Sequence, residues 1–293
     1  MLTMHSTLLV GRYDWVPEIL PEREFADRIA AFWTKVTPDA AAAIVDGDSR
    51  HHAELAYLSN FIPKLRPAVL VLRRTGPPTL LLADGAILLP SARRMTWVED
   101  IRPLGGAAAF LPDLLHCLGG GVVLVGGDRM PSGEYREITA PFGRDGDLAD
   151  ATPILHAVMR RKSRAERDIL DQAAGILRGA VEAMRAAHAA DGDRRNALLA
   201  AEARANALGA QDVRSLLSTD EGRSLEPFDG TVGGIGATLH AYLAVRHHGY
   251  WADGLVTLMP RPASVVGSAA DALAAAVAAL APGRRIADAV SAA

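Results

Sequence analysis

The sequence predicts an α/β protein of two domains, and two observations support this. In the first half, short apolar runs alternate with segments of helical spacing, a pattern typical of an α/β domain. The second half opens on a long amphipathic segment at about residues 163–189 and continues through further helical and strand-like text. The 293 residues suffice for two domains. We place them at residues 1–155 and 156–293.

The elements of the first half follow from the spacing of apolar residues. Residues 21–36 carry Phe25, Ile29, Phe32 and Trp33 on one helical face, which predicts the first helix. A second helix is predicted at 51–61. Buried strands are predicted from unbroken apolar runs at 40–47, 67–74, 79–84 and 119–128.

The second half is predicted from capping signals and alternation. Ser163 and Glu166 form an S-x-x-E capping box at the start of the long helix. A further helix is predicted at 196–210 and two antiparallel strands within 238–260. On the first strand His240, Tyr242, Arg246 and His248 share one parity, and we expect them on one face. Helices are predicted at 268–281 and from the final segment PGRRIADAVSAA.

Composition excludes several classes of protein. With 31 basic and 34 acidic side chains, the net charge of −3 gives no attraction to nucleic acid or anionic lipid. Cys117 is the only cysteine, which excludes an intramolecular disulfide and a cysteine zinc cluster and fits a reducing compartment. The sequence shows neither a secretory signal pattern nor an apolar run of about 18 residues. We expect a cytoplasmic protein without a nucleic-acid or membrane partner.

The order of segments resembles one known superfamily. KSRAERDIL, GYWADGLVTL and APGRRIADAVSAA occur in an order similar to the second domain of the creatinase, aminopeptidase P and prolidase superfamily. LPEREFADRIAAF and VDGDSRHHAELAYLSNF resemble the creatinase-type N-terminal domain. The resemblance implies an N-terminal α/β domain followed by a pita-bread α/β domain. We expect that second domain to be incomplete, because the family's domain continues further.

The resemblance also implies a site, which this sequence departs from. The metallopeptidases of the superfamily hold two divalent metals with an Asp, a second Asp eleven residues later, and a His and two Glu downstream. Asp253 matches the second Asp, but Tyr242 stands at the place of the first. A neutral phenol is a poor ligand for a hard dication, and the downstream ligands cannot be placed. We therefore expect no metal and no cofactor.

The metal-independent branch, creatinase, implies a histidine acid/base and side chains from a neighbouring subunit. The segment where that histidine is expected, GRSLEPFDG, offers Glu226 instead. Arg66 and Lys64 stand roughly where creatinase extends an arginine into its partner's cleft. The candidate catalytic residues are therefore His248, Asp253 and Tyr242, and the candidate substrate-binding residues are Arg66, Lys64 and Glu226. His248 and Asp253 could meet across the hairpin, or mark a polar strand end.

Three functions remain open. The leading hypothesis is a diverged creatinase or Xaa-Pro aminopeptidase-like protein without the dinuclear site. It would bind a small amide or peptide-like ligand, or serve as a subunit of a hetero-oligomeric hydrolase. The alternatives are a metal-independent C–N hydrolase and a protein-interaction module. Because strands 238–245 and 250–258 would leave an apolar face open, we expect a homodimer or a partner that completes the second domain.

Overall fold

The structure, a computed structural model, describes residues 13–64, 66–83, 89–104, 120–140, 148–231, 233–259 and 264–292. Cys117 lies outside these ranges. The chain divides into two compact units. The first contains the described residues up to Ile176, together with Leu208–Val213 and Val245–Ala252. The second contains Leu177–Ala207, Arg214–Ala244 and the described residues from Asp253 onward. The domain boundary near residue 156 stays a prediction.

The first unit is built on a six-stranded mixed sheet with the strand order β4-β3-β2-β1-β5-β6. Strand β1 runs antiparallel to β2 and parallel to β5. Its helices and strands, in chain order, are α1 (Glu22–Trp33), β1 (Ala40–Gly47), α2 (Ala53–Ser59), β2 (Ala68–Arg73), β3 (Thr79–Leu82), α3 (Leu89–Met95), β4 (Asp100–Pro103), β5 (Gly121–Val125), α4 (Ser132–Thr139), β6 (Ala149–Asp150) and α5 (Thr152–Met159).

The centre of this sheet is buried on both faces. Strands β1 and β2 read AAAAIVDG and AVLVLR, continuous apolar runs of the kind that both-sided burial requires. One face packs into a core that includes Phe32, Leu58 and Leu70, and the other into a core with Ile44 and Ile138. The strands predicted at 40–47, 67–74, 79–84 and 119–128 are confirmed, although the last is confined to Gly121–Val125.

The long helix α6 (Arg164–Asp191) begins at the predicted capping box. The Ser163 N–H donates to Glu166 Oε2 at 2.9 Å, and the Glu166 N–H donates to Ser163 Oγ at 3.1 Å. Two backbone donors that the helix cannot satisfy are therefore satisfied by side chains. The predicted apolar stripe of the helix, Ile169, Ala173, Ile176, Ala180 and Met184, is buried.

A second sheet has the strand order β10-β9-β7-β8. After α7 (Arg194–Ala207) come β7 (Asp212–Leu217), β8 (Glu226–Pro227), β9 (Leu239–His247) and β10 (Tyr250–Leu258). His248 and Gly249 form the two-residue turn between β9 and β10, with φ of 44° and 84°. Two positive φ values are what a type I′ hairpin turn requires. The prediction that His248 shares a strand face with His240, Tyr242 and Arg246 is therefore wrong, because His248 lies in the turn.

The last two helices, α8 (Ser264–Ala279) and α9 (Ile286–Ala292), pack against each other. They carry large apolar side chains that are exposed, Leu273, Val277, Ile286 and Val290, and Leu280 directly after α8 is exposed as well. An apolar helix is ordinarily covered, so this face is unusual. Within the described ranges, no helix combines the length and the apolar character that crossing a membrane requires.

Candidate functional site

A cavity of about 220 Å³ lies within the first unit. Its wall is formed by α1, α2, the start of α6 and the β9–β10 turn. The apolar residues of the wall are Leu20, Ala53, Ala56, Ile62 and Met159. The polar and aromatic part is formed by Tyr13, Arg28, His52, Tyr57, Asn60, Lys162, Glu166, His248, Tyr250 and Trp251. A concave site with a mixed lining of this kind suits a small molecule.

A hydrogen-bonded chain of buried groups forms one side of this cavity. Arg28 Nη2 donates to Tyr250 Oη at 3.2 Å, and Tyr250 Oη donates to Glu166 Oε1 at 3.0 Å. Arg28 Nε donates to Glu24 Oε1 at 3.0 Å, and Nη1 donates to the carbonyl of Tyr57 at 2.8 Å. Arg28 is only 4% exposed and Glu166 only 1%. Buried charges persist only when paired and hydrogen-bonded, and this network meets that condition.

Local structure holds each member of this chain in place. Glu166 is fixed because its other oxygen, Oε2, caps α6. Arg28 lies one helical turn after Glu24 on α1, the spacing at which opposite charges meet. Burial raises the pKa of Tyr250 far above its ordinary value, and the Glu166 carboxylate raises it further. Tyr250 therefore stays a neutral hydroxyl that can both donate and accept.

Two histidines on the cavity wall are uncharged at neutral pH. Burial, followed by the charge of Arg246, lowers the pKa of His52. Burial and the neighbouring His247 lower the pKa of His248 to about 4. A neutral imidazole carries one donor and one acceptor nitrogen.

The two imidazoles differ in their hydrogen-bonding capacity. The Nδ1 atom of His52 is buried and has no hydrogen-bond partner in the described part of the chain. The ring of His248 packs edge-on against His247, with 4.4 Å between ring centroids. Among the described residues, His248 forms no side-chain hydrogen bond. The His248 ring is therefore available to a ligand in a way that the Arg28 chain is not, whereas the His52 ring is held by the backbone of Asp48 and Ser49.

The turn glycine fixes another part of the wall. Gly249 has φ of 84°, and a Cβ at this position would lie 2.6 Å from Tyr13 Oη. A side chain here would be strained by the positive φ and would displace the Tyr13 hydroxyl. Tyr13 Oη in turn donates to Asn60 Oδ1 at 3.2 Å, and Asn60 Nδ2 donates to the Met95 carbonyl at 2.8 Å. This side of the cavity is therefore held by side chains with fixed partners.

The other predicted catalytic pair lies in the second unit. Tyr242 on β9 donates from Oη to Asp253 Oδ2 on β10 at 3.0 Å. Burial and this hydrogen bond raise the pKa of Tyr242, so the phenol stays protonated. The structure thus brings Tyr242 and Asp253 together, as a neutral donor on a carboxylate. His248 belongs to the first unit, and its predicted cluster with Asp253 stays a prediction.

The dinuclear metal centre that the resemblance implies can be tested against these atoms. Such a centre needs carboxylates at both positions, since hard dications prefer charged oxygen ligands. Here one of the two is a protonated phenol, and its hydrogen bond occupies a carboxylate oxygen. Over the ranges that the structure describes, no group of three or more His, Cys, Asp or Glu side chains could hold a metal ion. The residues present do not fit that centre.

The predicted substrate-binding residues are placed elsewhere. Lys64 is half-buried at a shallow cleft of the first unit, beside Asp14 and Arg94. Arg66 is exposed. Glu226 is exposed on the short strand β8, opposite Leu217. None of the three is among the described residues that line the 220 Å³ cavity.

Sequence reasoning found His248 but missed Arg28, Tyr250 and His52. The spacing of Glu24 and Arg28 is visible in the sequence and signals an ion pair. No local sequence pattern indicates that Arg28 contacts Tyr250, which lies 222 positions later in the chain. Glu166 was recognised only as a helix cap, although its second oxygen faces Tyr250.

The fold is similar to that of solved X-Pro aminopeptidases and a prolidase, in agreement with the predicted fold class. The X-Pro aminopeptidase of Thermotoga maritima superposes with a TM-score of 0.68 at 14% identity, over 87% of this chain and 70% of that one. The proline aminopeptidase P II of Yersinia pestis gives 0.66 at 18% identity, over 88% and 67%. The prolidase of Pyrococcus furiosus gives 0.59 at 12% identity, over 85% and 72%.

These likenesses confirm the predicted fold. At 12–18% identity they establish the architecture alone. No protein-family model matches the sequence, and no curated protein matches it.

Proposed function

We propose that this chain is a diverged relative of the Xaa-Pro aminopeptidases and prolidases that binds a small amide or peptide-like ligand without a dinuclear metal centre. The cavity in the first unit carries the proposal. It combines apolar surface with a few fixed polar groups, the composition typical of small-molecule sites. Two imidazoles with lowered pKa values, His52 and His248, lie on its wall, and the His248 ring forms no side-chain hydrogen bond among the described residues.

Amide groups match these imidazoles chemically. An amide carries an N–H donor and a carbonyl acceptor, and a neutral imidazole carries one of each. The His248 ring forms no side-chain hydrogen bond among the described residues, so an amide in the cavity can supply partners for its donor and acceptor nitrogens.

The proposed loss of metallopeptidase chemistry is supported by the Tyr242–Asp253 pair. Two neighbouring dications need carboxylate ligands at both positions. Here Asp253 supplies one carboxylate, but its neighbour is the protonated phenol of Tyr242, which donates a hydrogen bond to that carboxylate. We expect the purified protein to hold no stoichiometric manganese, cobalt or zinc after dialysis. We also expect no release of the N-terminal residue from Xaa-Pro peptides when these metals are added.

Ligand binding is tested by thermal shift with a panel of small amides and dipeptides, measured on the wild type and on two variants. His248→Gly removes the imidazole from the cavity and suits the positive φ of the turn. His240→Ala removes a histidine of the second unit and is the matched control. We expect stabilisation of the wild type and of His240→Ala, and its loss in His248→Gly. Equal shifts in all three proteins contradict the cavity as the site.

The metal half of the proposal has its own test. Elemental analysis and a peptidase assay are run on the wild type and on Asp253→Asn. Two metals per chain, or a manganese-dependent peptidase activity that Asp253→Asn abolishes, would overturn the proposal.

A second candidate, a protein-interaction module, is favoured by the surface of α8 and α9. Leu273, Val277 and Leu280 recur at helical spacing and are each more than half exposed. Ile286 and Val290 continue the apolar surface on α9. Covering such a surface is favourable at about 25 cal/mol per Å² of apolar area. We propose that a second copy of the chain, or a different chain, covers this surface.

A further inference from the structure

We infer that the cavity of the first unit selects an uncharged ligand with neighbouring amide N–H and carbonyl groups, such as a lactam, an imide or a cyclic dipeptide, over a zwitterionic linear peptide. This inference rests on the proposed function and adds the charge state of the ligand. A site that binds a linear peptide through its charged terminus would instead favour the zwitterion.

The first argument is that the charged groups on the wall already have partners. The Arg28 guanidinium is bonded to Glu24 at 3.0 Å and reaches Glu166 through Tyr250. Lys162 Nζ lies 3.7 Å from Glu166 Oε1 and donates to the Met159 carbonyl at 2.6 Å. The positive charges of Arg28 and Lys162 are therefore balanced by the negative charges of Glu24 and Glu166. A charged ligand would lose its hydration without finding an uncompensated counter-charge.

The second argument is that the free hydrogen-bonding groups on the wall are neutral. His52 and His248 lie on the cavity wall, and neither has a carboxylate bonded to its ring within the described residues. Burial of both rings favours their uncharged form. An uncharged amide can use the donor and acceptor of the His248 ring without bringing an unpaired charge into the cavity.

The size of the cavity and its aromatic lining favour a small, flat ligand. A volume of about 220 Å³ is below the range of roughly 300–1,000 Å³ that drug-sized ligands occupy. The aromatic residues Tyr57, Tyr250 and Trp251 are among those that line the cavity. Aromatic faces pack well against a flat, compact ring. A six-membered cyclic diamide meets the requirements of size, shape and charge together.

The test compares two probes that differ in charge but contain the same two residues. Glycine anhydride, the cyclic diamide of two glycines, is uncharged, and linear glycylglycine is a zwitterion at neutral pH. Each is titrated into the full chain by isothermal calorimetry at pH 7. We expect the cyclic probe to bind about tenfold or more tightly than the linear one, since no wall charge is free to compensate the termini.

A variant locates the binding. His248→Gly should weaken the cyclic probe by at least about fivefold, the effect of losing one hydrogen bond of ordinary strength, while circular dichroism confirms that the variant folds. Linear glycylglycine binding as tightly as the cyclic probe, or tighter, overturns the inference and leaves the proposed function standing. Unchanged affinity of the cyclic probe for His248→Gly also overturns the inference. If neither probe binds and the amide panel gives no thermal shift, the proposed function fails as well.

Discussion

Asp46 gives the sharpest prediction about stability. It lies near the end of β1 and is only 8% exposed, and its Oδ1 atom has no hydrogen-bond partner in the described part of the chain. Burial, followed by the negative charges of Glu134 and Asp48, raises the pKa of its carboxyl from 3.8 to about 7. The folded protein therefore keeps a proton that the unfolded chain releases.

The sign and size of the effect follow from proton linkage. Because the folded-state pKa is above the unfolded one, the free energy of unfolding falls as the pH rises from about 4 to about 7 and levels off above. A change from 3.8 to about 7 corresponds to about 4 kcal/mol. Asp46→Asn cannot ionise. We expect it to be more stable than the wild type by up to about 4 kcal/mol near pH 8.5, with most of this difference gone near pH 4.

The assay is urea unfolding followed by tryptophan fluorescence at several pH values between about 4 and about 8.5. Asp100→Asn is the matched control with the opposite sign. Burial alone would raise the pKa of Asp100, but Arg102 and the Thr79 hydroxyl donate to its carboxylate and lower it overall. Asp100→Asn should therefore cost stability at neutral pH and less in acid. A stability difference between Asp46→Asn and wild type that is the same at every pH refutes the reasoning.

Three further predictions concern helices and packing. Ser163→Ala removes the side-chain cap of α6 and should cost about 1 kcal/mol in urea unfolding, whereas an unchanged midpoint means that the cap is not needed. Tyr250→Phe leaves Arg28 Nη2 and Glu166 Oε1 each short of one partner and should cost about 1–3 kcal/mol, so a neutral result contradicts the buried network. Leu273→Asp should abolish self-association in light scattering, and a wild type that stays a 31.0 kDa species at all concentrations would contradict association.

Much of the fold could be predicted because its signals are local. The strands β1 and β2 are continuous apolar runs that need burial on both faces. The capping box at Ser163 and Glu166 is a four-residue pattern and forms as expected. The pairing of β9 with β10 follows from two apolar strands joined by a short turn that contains glycine.

The errors and omissions have physical causes. His248 was assigned to a strand face because parity alone does not show where a strand ends, and the turn takes two residues with positive φ. The chain from Arg28 through Tyr250 to Glu166 joins three distant parts of the sequence, and no local period encodes such contacts. The unpartnered oxygen of Asp46 depends on tertiary burial, which the sequence letter does not reveal.

The most direct test of the central claim is a crystal structure of the protein soaked with glycine anhydride and manganese together. We expect density for the diamide in the first-unit cavity, within hydrogen-bond distance of His248. We expect no anomalous manganese signal at Asp253, where Tyr242 already donates to the carboxylate. Manganese bound at Asp253 with the cavity empty would show that the chain kept a metal site and lacks the proposed ligand site.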